Sequence, residues 1–149
     1  MFKKILVPTD GTRSAESAIA PAVKFAKESD AEIVAISIAE GHPSSLLSDS
    51  DFFGSTHAFN AKAHDLAKDH AKKIADTARA ENVPCETIAV HSLRPDEEIL
   101  QTAKQHGCDL IFMGSHVHEH FTGLFHEEII NKVVHHSLIP VLVYRAQSL

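Results

Sequence analysis

Short apolar runs alternate with amphipathic helical patterns along this chain, and that alternation most constrains its fold. Lys4 to Val7 is an apolar run closed by Pro8-Thr9-Asp10-Gly11, which is turn chemistry. Ala15, Ala18, Ile19, Ala22, Val23 and Ala26 then recur at helical spacing, with Thr12 or Ser14 to cap the helix and Pro21 to kink it or shift its start. Ala31 to Ala39 is a strand rich in β-branched residues. A polar segment from Glu40 to about Thr56 separates it from a long helix over Ala58 to Glu81, with Ala63, Leu66, Ala67, Ala71, Ile74, Ala75 and Ala78 as its packing stripe. Cys85 to Val90 is the third strand. Pro95-Asp96-Glu97-Glu98 opens a helix that Gly107 ends. Asp109 to Met113 is the fourth strand, Glu127 to His136 a helix on Ile129, Ile130, Val133 and Val134, and Pro140 to Tyr144 the last strand. Such an order calls for one α/β domain over residues 1–149: a mostly parallel sheet with helices on both faces and right-handed crossovers.

Composition removes several function classes. The chain has 149 residues, 44% of them hydrophobic, enough for one buried core. A net charge of −6 argues against nucleic-acid and anionic-membrane partners, which require basic surfaces. No apolar run approaches the ~20 residues of a membrane span, and the N-terminal apolar run is too short for a signal peptide, so the expected location is the cytoplasm. Cys85 and Cys108 lack a C-x-x-C spacing and read as reduced thiols.

The stretch from Met113 onward has the layout of a phosphate-binding strand, loop and helix. Its apolar run ends at Gly114-Ser115, a loop follows, and a helix begins near Glu127. The loop is rich in histidine. His116, His118 and His120 alternate, so on an extended segment they point to one side. Three readings stay open: a polar surface loop, which is the one adopted, a site for a divalent transition metal, and a loop that charges near pH ~6.5. His64 and His70 read as solvated or half-buried helix residues. No nucleophile–base pair lies within motif range, so an enzyme is not expected.

Three segments resemble the universal stress protein family: Ile5-Leu6-Val7-Pro8-Thr9-Asp10-Gly11, Gly107 through His116, and His136 through Arg145. The resemblance implies a doubly wound, adenine nucleotide alpha hydrolase-like fold, with a five-stranded parallel sheet of order 3-2-1-4-5. It also implies a role in stress survival and a homodimer paired through the last strands, here Val141, Leu142 and Val143. That strand order would put Cys85 and Cys108 roughly 14 Å apart, beyond disulfide reach.

The family's nucleotide-binding branch carries G-x-x-G, nine residues, then glycine and a small hydroxyl residue. Gly114 matches the first glycine, but Val117 stands at the second and Glu127-Glu128 at the closing pair; His120 replaces a further loop glycine. Val117 is β-branched where backbone freedom is wanted. Carboxylates stand where a triphosphate would lie, and one like-charge pair ~4 Å apart costs about 4 kcal/mol at an effective dielectric of 20, about three decades in affinity. Pro8, Thr9, Asp10, Ser37 and Ile38 still match the adenine-ribose side, and Met113, Gly114 and Ser115 the end of the fourth strand. The expectation is a vestigial pocket without a bound cofactor; the alternative is an ATP- or AMP-binding regulator or weak ATPase.

Overall fold

The structure is a computed structural model that describes residues 1–40, 53–116 and 127–146; for Glu40, residues 53–60 and His116 it describes the backbone alone. The elements are β1 (Lys4–Thr9), α1 (Arg13–Ser17), α2 (Ile19–Ser29), β2 (Glu32–Glu40), α3 (Phe53–Ala80), β3 (Cys85–Ser92), α4 (Pro95–Gln105), β4 (Leu110–His116), α5 (Glu127–His136) and β5 (Val141–Ala146). The five strands form one sheet of order β3-β2-β1-β4-β5 with every pair parallel, as the resemblance implies.

Period-2 alternation divides the strands' side chains between two faces. Ile5, Val7, Ile33 and Ala35 pack with Val23, Ala26, Ile74 and Ala78, so α2 and α3 cover one face. Leu6, Val34, Ile36, Ile111 and Met113 pack with Ile99, Ala103, Ile129, Ile130 and Val133, so α4 and α5 cover the other. Ile5, Ile33, Ile36, Ile74, Ile99 and Ile111 are fully buried, and each contributes about 1.5–3 kcal/mol of transfer free energy. At the N-terminal end of the sheet the Asp109 carboxylate accepts hydrogen bonds from the backbone N–H of Lys3 (2.8 Å) and Lys4 (3.0 Å), tying β4 to β1.

The first helical pattern is two helices. The axis breaks at Ala18, and Pro21 lies in the first turn of α2, where its missing N–H leaves no helical bond unmade. Thr12 is the cap: its Oγ1 accepts from the Ala15 N–H at 3.3 Å. Helix α3 starts at Phe53, inside the stretch read from sequence as polar connection; lengthening an existing helix avoids the cost of a new nucleus. The remainder of that connection, 41–52, lies outside the described residues.

Two expected core positions are exposed. Leu66 is 54% exposed and Val134 50% exposed. The buried line on α3 is Ala67, Ala71, Ile74 and Ala78, one residue wide per turn, and Leu66 falls outside it. On α5 the helix seats on Ile129, Ile130 and Val133, which turns Val134 outward.

Both cysteines are free thiols. Cys85 packs against the cluster under α2 and α3, whereas Cys108 belongs to the cluster under α4 and α5. The sheet itself separates them, a stronger bar to a disulfide than their lateral spacing. Burial pushes both thiols up to about 11, so neither is a thiolate near neutrality. Among the described residues no helix is long and apolar enough to cross a membrane.

Candidate functional site

In an open parallel sheet, ligands bind beyond the carboxyl ends of the strands where the strand order reverses. Here that point lies between β1 and β4. Their ladder pairs Ile5 with Leu110 and Leu6 with Ile111, and among the described residues it continues no further. The β4–β5 ladder runs on to His116 and Ala146, and the β1–β2 ladder to Thr9 and Ser37. Past those pairs β1 and β4 share no further paired residue among the described ones, which marks the crevice at the strands' carboxyl ends where such sheets take ligands.

The sequence places Pro8, Thr9, Asp10, Ile38, Met113, Gly114 and Ser115 at this edge, and the structure brings them there on the ends of β1, β2 and β4. Their surroundings differ. Thr9, Ile38 and Met113 are buried, Met113 within the core beneath α4 and α5. Asp10 and Ser115 are half-exposed. Val117, His118 and His120 lie outside the described residues, as does the side chain of His116.

The turn after β1 is built by its own side chains. Thr9 Oγ1 accepts from the Gly11 N–H at 3.1 Å. Asp10 Oδ1 accepts from the Thr12 N–H at 3.0 Å and from the Thr12 hydroxyl at 2.6 Å. Asp10 thus orients the residue that caps α1. Gly11 has φ +80°, a conformation that favours glycine, and a Cβ there would fall within the His70 imidazole. His70, half-buried on α3, presses directly on the turn that carries Asp10. The sequence offered no signal for this contact, because it joins distant helices.

Gly114 has a role that the phosphate-loop pattern does not suggest. A Cβ on it would overlap the Ser14 carbonyl oxygen of α1 and come within 3.0 Å of the Ala18 side chain. The Ser17 hydroxyl donates to that same carbonyl at 2.6 Å. Helix α1 therefore lies directly on β4, and glycine is required for that approach whether or not a ligand binds.

Glu127 and Glu128 open α5, in the first turn where the helix dipole favours carboxylates. Both are exposed, and Glu128 pairs with Lys132 one turn on, at 3.3 Å. Their field is thus screened by water. Repulsion of ~1 kcal/mol per pair at ~4 Å applies, not the ~4 kcal/mol expected from sequence. Among the described residues no three His, Cys, Asp or Glu side chains group to hold a metal ion.

The sequence pattern of the universal stress protein family matches residues 1–145. Universal stress protein MJ0531 of Methanocaldococcus jannaschii is 28% identical over 145 residues, which cover 97% of this chain and 83% of that protein. The solved structure of MJ0577 from the same organism superposes with a TM-score of 0.79 at 26% identity, covering 100% of this chain and 99% of that one. A universal stress protein crystallised with cAMP shares the fold, with a TM-score of 0.63 at 16% identity and coverage of 96% of both chains.

Proposed function

The chain belongs to the universal stress protein family, and from that premise we propose that it is a non-enzymatic stress protein, a cytoplasmic homodimer acting in stress survival, whose nucleotide site no longer takes ATP. The observation that carries this reading is the contact between Gly114 and α1. Gly114 is the one glycine of the nucleotide-binding pattern that the chain keeps, and the Ser14 carbonyl accounts for it by packing alone. The rest of the pattern is replaced by Val117, Glu127 and Glu128. The expected result of titrating the purified protein with ATP and magnesium is no saturable binding below about 1 mM, an affinity weaker than ~4 kcal/mol. Micromolar affinity, or nucleotide that co-purifies, would overturn the reading.

The second reading, a nucleotide-linked regulator, draws on half-exposed Asp10 and Ser115 at the strand-order reversal between β1 and β4, the usual place for a ligand in such a sheet. The cAMP complex of a structural neighbour gives the nucleotide class to try beside ATP.

The two open sheet edges support the dimer. On β3 the edge carries exposed Glu86, Thr87 and His91, which discourage pairing with another chain. On β5 the edge carries Val141, Leu142 and Val143, half-exposed, and Leu138 just before them is 99% exposed. An apolar edge of this kind is an aggregation hazard unless it is paired. Sedimentation at micromolar concentration should give twice the chain mass, and Val143→Lys should give the single-chain mass. A monomeric parent protein would remove the dimer.

A further inference from the structure

Away from the crevice between β1 and β4, the carboxyl edge of the sheet carries a polar group on the face covered by α3. His64 on α3 and His91 near the end of β3 have ring centres 5.3 Å apart, with planes 23° from parallel. The ladder pairs Ala39 with His91 and Ser37 with Ala89, so His91 and Ser37 project from the same face of the sheet. Among the described residues two buried polar atoms here have no hydrogen-bond partner: His64 Nδ1, and Ser37 Oγ, on a side chain with 0% exposure. A buried imidazole nitrogen and a buried hydroxyl each lose hydration without return unless something else meets them.

We propose that His64 and His91 form a two-imidazole site for a divalent transition-metal ion of the zinc or copper class. A tetrahedral ion held at about 2.1 Å by one nitrogen of each ring sets the ring centres roughly 5 Å apart, which is the spacing found. The rings are stacked, so taking the ion requires one ring to turn about its χ2 until a nitrogen of each faces it. Imidazole prefers zinc, copper and nickel to magnesium or calcium, which take oxygen ligands. His91 is exposed and gives the ion a path from solvent. Two protein ligands leave the remaining coordination positions to water, so the site is an open one. Its two residues are other than the alternating His116, His118 and His120.

The ion would join the first half of α3 to the end of β3. Binding to the folded state alone raises thermal stability: a hundredfold excess over the dissociation constant should lift the melting midpoint by roughly 5–10 °C for a chain of this size.

The test is a calorimetric titration of untagged, metal-stripped protein with zinc chloride and, separately, copper chloride, repeated on three variants. The expected result is one ion per chain at micromolar affinity, with His64→Gln and His91→Gln each weakening binding at least tenfold. A variant carrying His116→Ser, His118→Ser and His120→Ser should keep it. Since His91 is exposed, His91→Gln should fold as the parent does, checked by circular dichroism. Absence of binding by the parent would show two stacked rings and no site. Binding that persists in His91→Gln, or is lost only in the triple-serine variant, would place the ion elsewhere and overturn the proposal.

Discussion

Gly114→Ala is expected to lower the melting midpoint by about 5–10 °C. The added methyl would overlap a backbone oxygen, that of Ser14, and cannot be relieved by rotating a side chain. Relief requires α1 to lift from β4. That movement strains the Ser17 hydroxyl bond to Ser14, the Thr12 cap and the Asp10 turn. Overpacking of this kind costs about 1–3 kcal/mol, and each kcal/mol moves the midpoint by about 2–4 °C at this size. Gly107→Ala is the control. Gly107 has φ +66° with nothing within 4 Å of an added Cβ, so only backbone strain of about 1 kcal/mol is added there. Thermal melts followed by circular dichroism separate the two. If Gly114→Ala melts with the parent, α1 does not sit on β4 as described, and the glycine would again call for a ligand to explain it.

Restoring the family's loop chemistry should raise ATP affinity about ten- to a hundredfold. The variant is Val117→Gly with Glu127→Gly and Glu128→Ser. Both glutamates are exposed, so each removes repulsion of only ~1 kcal/mol against a nearby phosphate charge. Losing Glu128 also releases Lys132 from its ion pair at 3.3 Å. Glycine in the first turn of α5 weakens the helix by up to about 1 kcal/mol, which the buried Ile129, Ile130 and Val133 offset. The gain should shrink as salt rises, because exposed charges are screened within about 10 Å at 0.1 M. Titration of parent and variant at two ionic strengths reads both effects. An unchanged affinity would mean that the acids are not what keeps nucleotide out, and would move the cause to the β1 side of the crevice.

Val143→Lys, the zinc titration and the ATP titration test surfaces rather than the core, and none requires the chain to unfold. Each addresses a separate edge of the sheet: β5, the β3 end under α3, and the crevice between β1 and β4.

Local pattern alone determined much of this molecule. Helix α5 runs from Glu127 to His136, the bounds read from its apolar spacing, and five strands alternate with helices in the order read. Hydrophobic period and turn residues are properties of neighbours along the chain, so they survive without knowledge of the fold. Position at the carboxyl edge was legible for Asp10, Ile38 and Gly114 because each ends an apolar run. What those residues touch was not legible. Gly114 faces the Ser14 carbonyl, Gly11 faces His70, and His64 faces His91 only because α1 and α3 cross the strands, and crossing is decided by packing among distant segments. The same physics set Leu66 and Val134 outside the core, since a helix seats on one narrow line and the line is chosen by its partner surface. It also moderated the charge at Glu127 and Glu128: their sign was fixed by residue type, but their strength depends on exposure to water, which only the tertiary structure decides.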